Sequence, residues 1–288
     1  MRVSVTSSSC VTKVLCIAAV LCAFAPATTY GKKGTPEPGE VSIKLAAAQR
    51  SRSLNYPWDG QLVRGFLVRE SKLVRHLPEN IASQRFYGTW QLAQLLERGA
   101  QRVALRWKGA RLTIGELSGK NGGDIDGHSS HESGRDADVG FFMKKNGQPY
   151  ASTSFIQFDN NGRGLAPDGD VRFDIARNWE LVSKLVDDRE ARVQYIFVAR
   201  GLRQLLLREA ITRKASPEII ARASTVLVQP AHGNPHRSHF HVRIYCPPTD
   251  RPLCRDVAPY WPWYPGNPVI DATAVSKTPL SPSLEAHF

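Results

Sequence analysis

The segment Ser238-His239-Phe240-His241-Val242-Arg243-Ile244 makes chemical sense in one backbone form. Successive side chains of a β-strand point to opposite faces, which puts His239, His241 and Arg243 on one face and Phe240, Val242 and Ile244 on the other. On a helix, residues two apart diverge by about 200°, and the apolar members would form no stripe. A chain with this segment must build a sheet that has an apolar layer behind it and a pair of imidazoles in front. Arg135-Asp136-Ala137-Asp138-Val139-Gly140-Phe141 repeats the pattern, with Asp136 and Asp138 set against Ala137, Val139 and Phe141.

Histidine is concentrated around these two segments. The chain has eight, and six lie in His128–His131 and His232–His241. His128 and His131 sit among Gly122, Gly123, Gly127, Ser129, Ser130, Ser133 and Gly134, a composition that reads as a loop feeding the strand at Asp136. Such a loop can bring a histidine and an aspartate seven positions apart to one point. Two imidazole nitrogens, one carboxylate oxygen and an open fourth position form a workable ligand set for catalytic Zn2+, at about 2.0–2.2 Å. The arrangement is not the helical HExxH type, because His128-Ser-Ser-His131 has the wrong interval and lacks the glutamate.

Near the start, Lys13 is followed by the apolar run Val14–Ala25 and by Ala25-Pro26-Ala27, the pattern of a secretory signal peptide over residues 1–27. A bilayer span needs about 20 apolar residues, so no stable membrane span is expected after cleavage. Loss of that segment leaves Cys246 and Cys254, a nearby pair that in an exported chain reads as a disulfide. A zinc pair would need two further soft ligands close by, and none is there. The charge of +12 falls to +10 without Arg2 and Lys13, which suits anionic surfaces such as wall polymers. No zinc-finger, RNP or helix-turn-helix pattern accompanies it, so no nucleic-acid partner is expected. Nothing in the sequence specifies the oligomeric state.

Between the ends, helices and strands alternate irregularly, which predicts an α+β fold with a small central antiparallel sheet carrying the site, flanked by helices and long loops. Thr89 reads as an N-cap, Leu92, Leu95 and Leu96 as a helical stripe, and Gly99 as a stop. Arg102–Trp107 and Arg111–Ser118 read as a hairpin around Lys108-Gly109. Asp174 and Ser216 read as caps of later helices, Val193–Ala199 as a strand and Gly201–Ile211 as a helix. Arg243 reads as a solvated strand arginine, and Asp136 equally as a partner of a ligand imidazole or as a surface residue. The aromatic-proline stretch Ala258–Pro268 reads as a strap over the domain, with sugar stacking as the alternative.

Gly127-His-Ser-Ser-His-Glu-Ser-Gly-Arg-Asp-Ala-Asp138 resembles the G-H-x-S-H-x-x-G-x-D-x-D signature of the penicillin-insensitive murein endopeptidases. His236-Arg-Ser-His239-Phe-His241-Val-Arg-Ile-Tyr-Cys246 resembles their second signature. These enzymes belong to the wider group that includes lysostaphin, the D-Ala-D-Ala carboxypeptidases and the hedgehog domain. The likeness runs weakly through residues 50–255, including Arg85-Phe-Tyr-Gly88. Arg135 departs from it, standing where an apolar residue is expected.

The resemblance implies that His131, Asp138 and His241 bind Zn2+, that His239 is catalytic, and that His128 and His236 line the site; these two are read as orienting water or substrate, with proton transfer by either as the alternative. It implies periplasmic hydrolysis of the D-alanyl–meso-diaminopimelyl bond in peptidoglycan crosslink peptides. A D,D-carboxypeptidase on uncrosslinked stem peptides and a non-catalytic wall-binding module are the alternatives. The chain then divides into the signal peptide (1–27), a flexible lead-in (28–44), a zinc metallopeptidase domain (45–258) and a Pro-rich C-terminal tail (259–288).

Overall fold

The computed structural model describes residues 51–265. The expected signal peptide, the lead-in and the end of the tail lie outside the described residues.

Six short strands form the central sheet: β1 (Val74–His76), β2 (Leu112–Ile114), β3 (Asp136–Gly140), β4 (Val193–Phe197), β5 (Leu227–Val228) and β6 (His239–Ile244). Their spatial order is β5-β4-β6-β3-β2-β1. The inner pairs, β4 with β6, β6 with β3 and β3 with β2, are antiparallel. The two edge pairs are parallel, so the antiparallel expectation holds at the centre, where the site lies, and the fold is α+β.

The apolar face of the sheet is covered by α1 (Trp90–Arg106), α2 (Ile175–Asp187), α3 (Arg200–Thr212) and α4 (Pro217–Val226). Thr89, Asp174 and Ser216 cap α1, α2 and α4, each side chain accepting from the backbone N–H three residues on. Ala137, Val139, Phe240, Val242 and Ile244 are buried in one core with Leu95, Leu96, Val103, Val182 and Leu185.

Two expectations are corrected. Gly99 does not stop α1, which continues to Arg106. A Cβ at Gly99 would lie 2.8 Å from Leu181 Cδ1 and 3.2 Å from Leu185 Cδ2, so this glycine lets α2 approach. The expected hairpin is absent because Arg102–Arg106 is the last part of α1. Val103 extends its buried stripe, while Arg102 and Arg106 pair with Glu180 on α2 at 2.6 and 3.2 Å. An alternation of arginine with apolar residues imitated a strand where a helix divides between core and ion pairs.

Cys246 and Cys254 are joined by a disulfide just beyond β6. Arg135, the residue that departs from the family pattern, is fully buried. Its guanidinium donates to Asp256 Oδ1 at 2.8 Å and to the carbonyls of Asn55 and Arg255 at 3.1 and 3.0 Å. A buried arginine is tolerable when its donors are paired in this way, and here it ties the start of β3 to the segment after the disulfide. Beyond that, Trp261 Nε1 donates to Gln194 O at 2.7 Å and Tyr264 is buried.

Candidate active site

The β3–β6 ladder sets the frame. Its register pairs His241 with Asp138, Arg243 with Asp136 and Phe240 with Val139. All the chemistry-bearing side chains therefore share one face, and β4 adds Phe197 opposite His241 and Tyr195 opposite Arg243. A one-residue slip would drive histidines and aspartates into the core, so the register is strongly specified. Arg243 is not solvated as expected. It is 2 % exposed, and its Nε donates to Asp136 Oδ1 at 2.6 Å. The same oxygen lies 2.7 Å from His241 Nε2. Asp136 is thus a fully buried partner of both residues, and its carboxyl is held well below the usual carboxylate range. Burial opposes that ionisation, but Arg243 and the His241 hydrogen bond outweigh it.

The loop histidines are positioned by four consecutive residues after β2, none of which the sequence reading singled out. Gly115 N donates to Asp138 O and Asp138 N to Glu116 O, both at 2.8 Å. Glu116 Oε2 lies 2.7 Å from His128 Nε2, and Leu117 O lies 2.7 Å from His131 Nδ1. Ser118 Oγ bonds the carbonyl of His131 and accepts from Gly134 N. His131 needs this support, because its φ of 78° lies in the left-handed region that side chains other than glycine seldom adopt. Gly134, at φ 73°, completes the turn into β3.

These partners fix the imidazole tautomers. A carbonyl only accepts, so His131 Nδ1 carries a proton toward Leu117 and Nε2 presents a lone pair. Asp136 likewise holds a proton of His241 on Nε2, so that the neutral ring presents its lone pair at Nδ1. The two lone pairs meet. His131 Nε2 is 3.3 Å from His241 Nδ1, and each is 3.4 Å from Asp138 Oδ1. Asp138 Oδ1 is buried without a hydrogen-bond partner among the described residues. With both rings neutral, three electron-rich atoms this close repel one another, and positive charge placed among them, a proton or a metal cation, relieves that repulsion. Against the opposing effect of burial, Asp136 and Asp138 raise the His241 pKa and so favour such charge. Tetrahedral ligands about 2.0–2.2 Å from zinc are separated by about 3.3–3.6 Å, which matches the observed spacing. Asp138 titrates well below its usual range, since burial is outweighed by the surrounding imidazoles.

The other predicted residues surround this point. His128, His131 and Asp138 each offer a ligand atom within 4.8 Å of one another, a cluster that could hold a metal. Within it His128 stands further off, with Nδ1 3.8 Å from Asp138 Oδ2. By distance, His241 is the better third member. His239 Nε2 is 3.4 Å from Asp138 Oδ1, while its Nδ1 is 3.0 Å from Ser238 Oγ. Phe155, another residue the sequence reading missed, stacks on the His239 ring at 4.5 Å and 29°. His236 lies 5.2 and 5.5 Å, ring to ring, from His239 and His241. Burial, reinforced by those two imidazoles, holds its pKa at about 3, so it is a neutral ring at ordinary pH. His232, the remaining member of the second cluster, is exposed.

A family model described as penicillin-insensitive murein endopeptidase matches residues 79–264. The chain belongs to this family. It is also 29 % identical over 215 residues to a penicillin-insensitive murein endopeptidase of Haemophilus influenzae, which covers 69 % of this chain and 68 % of the relative. The matched region of the endopeptidase family contains every strand of the sheet except β1 and every residue of the site described above. Its first residues reach back to Glu79, whose carboxylate accepts from Phe155 N at 2.9 Å and so secures the loop that covers His239. Among the described residues no helix is long and apolar enough to cross a membrane.

Proposed function

We propose that this protein is a zinc-dependent D,D-endopeptidase that hydrolyses the D-alanyl–meso-diaminopimelyl amide bond of peptidoglycan crosslinks in the periplasm, after export on its signal peptide. Family membership supports the substrate class. One observation carries the metal: the lone pairs of His131 and His241 and the unpartnered oxygen of Asp138 stand 3.3–3.4 Å apart. In this reading these three residues hold zinc. Zinc bound there supplies a Lewis acid for the scissile carbonyl and lowers the pKa of the attacking water.

The chain's own groups do the rest. Asp136 and Leu117 orient the two ligand imidazoles, and Arg243 keeps Asp136 ionised. His239, held by Ser238 and stacked on Phe155, presents Nε2 toward the site. It stabilises the developing oxyanion and delivers a proton to the departing amine. His128 and His236 orient water and substrate. In the overall change the amide C–N bond breaks, the hydroxyl of water joins the carbonyl carbon and the other water proton goes to the amine nitrogen.

Metal analysis together with product analysis on isolated sacculi tests this reading. The expected result is one zinc per chain, with crosslinked muropeptides cleaved, the activity lost on chelation and regained with zinc, and penicillin without effect. Activity that survives complete metal removal overturns it. Trimming of monomeric stem peptides with crosslinks left intact points to a D,D-carboxypeptidase. Retention on sacculi with no product points to a wall-binding module.

A further inference from the structure

His128 and His239 both face Asp138, and the difference between them lies in what holds the far nitrogen. For His239 that partner is a hydroxyl, Ser238 Oγ, which can donate or accept and so leaves either tautomer open. For His128 it is the carboxylate of Glu116, 2.7 Å from Nε2, which only accepts. Glu116 is 6 % exposed, so its carboxylate is shielded from water and meets His128 and Arg85 rather than solvent. Arg85 Nη1 stands 3.5 Å from Glu116 Oε2 and donates to Asp126 O at 3.1 Å. The groups around the His128 ring are therefore Glu116, Asp138 and the His131 ring, whose centroid is 4.5 Å away, with Arg85 behind Glu116. Nδ1 of His128 looks across 3.8 Å at Asp138 Oδ2, too far for a hydrogen bond that would keep a proton there.

We propose that Glu116 is a positioning residue for the hydrolysis: it fixes His128 as the Nε2–H tautomer and turns the Nδ1 lone pair into the site, which makes His128 its proton acceptor and leaves His239 as the donor. This division of labour rests on the reading given under Proposed function. Glu116 is suited to it because the same residue holds Asp138 N–H through its backbone carbonyl. The acceptor histidine and the carboxylate of Asp138 are thereby registered to each other through one residue, across a loop that contains neither helix nor strand.

Two-bond 1H–15N imidazole spectra of the zinc-loaded protein, with His128 assigned by a His128→Asn variant, test the tautomer directly. The expected result is Nε2–H in the wild type and a mixed or Nδ1–H population in Glu116→Leu. Kinetics on crosslinked muropeptides should show kcat down about 10–100-fold in Glu116→Leu, with KM within about twofold and with zinc content and melting temperature kept. Glu116→Gln, whose amide oxygen can still accept from Nε2–H, should recover most of that kcat. A wild-type His128 protonated on Nδ1 overturns the proposal, as does an unchanged kcat in Glu116→Leu or a loss that merely follows zinc or folded protein. Wild-type protein that never cleaves crosslinks would instead overturn the zinc endopeptidase reading, while the spectra would still decide the role of Glu116.

Discussion

The two faces of the β3–β6 ladder are built from the same ten or so residues and obey different rules. Behind the sheet, Ala137, Val139, Phe240, Val242 and Ile244 touch helices, and what matters is volume. In front, Asp136, Asp138, His239, His241 and Arg243 are equally buried, and what matters is which atom carries a proton. Apolar packing tolerates a shape-conserving exchange, whereas a hydrogen-bonded ionic cluster loses its function with one wrong donor. Alternation along each strand lets both sets of rules act on adjacent residues.

The largest test of that contrast is on the front face. His241→Ala or Asp138→Ala should abolish zinc binding and hydrolysis while circular dichroism keeps the sheet; a tenth of wild-type activity in either variant would break the comparison. Behind the sheet, Phe240→Ala should cost about 3–5 kcal/mol of stability, measured by denaturant unfolding. The zinc-loaded folded fraction should keep its specific activity within about threefold, and a larger loss would mean the faces are coupled. Asp136→Asn should move both readouts, because Asp136 orients the His241 ring and also neutralises Arg243. Zinc affinity should fall about 10–100-fold, and unfolding should show a loss of stability from the unpaired buried guanidinium.

The smallest effect is expected far from the site, in the helix layer. Arg98 makes two hydrogen bonds, of 2.7 and 2.8 Å, to Asp188 at the end of α2. Burial disfavours the Asp188 charge, but the Arg98 bonds outweigh it and lower the pKa. A lowered carboxyl stabilises the fold fully above its unfolded pKa of about 4 and less as pH falls through the folded value. Asp188→Asn should therefore cost about 1–2 kcal/mol at pH 7. That difference should shrink on acidification below about pH 4, with activity at neutral pH unchanged. A pH-independent difference would mean that shape, rather than charge, holds this helix end.

The reach of the sequence follows the range of each interaction. The alternation in 135–141 and 238–244 was legible because a strand displays its two faces locally. The caps at Thr89, Asp174 and Ser216 were legible because a capping bond spans three residues. Gly99 was misread because its reason to be glycine is Leu181, on another helix. Arg243 was taken for a surface residue because its partner lies on the neighbouring strand. Glu116 gave no signal at all, since a lone glutamate before a loop resembles any solvated carboxylate.

By itself, then, the sequence determined that imidazoles and carboxylates would stand on one side of a sheet with an apolar layer behind them. Local covalent geometry imposes that much, and the two signatures gave the family before any coordinate did. Tertiary structure alone decided which nitrogen of each ring faces inward. Tautomers are set by hydrogen-bond partners distant in sequence, Leu117 for His131, Asp136 for His241 and Glu116 for His128, and no local pattern records a bond whose two ends meet only when the chain is folded.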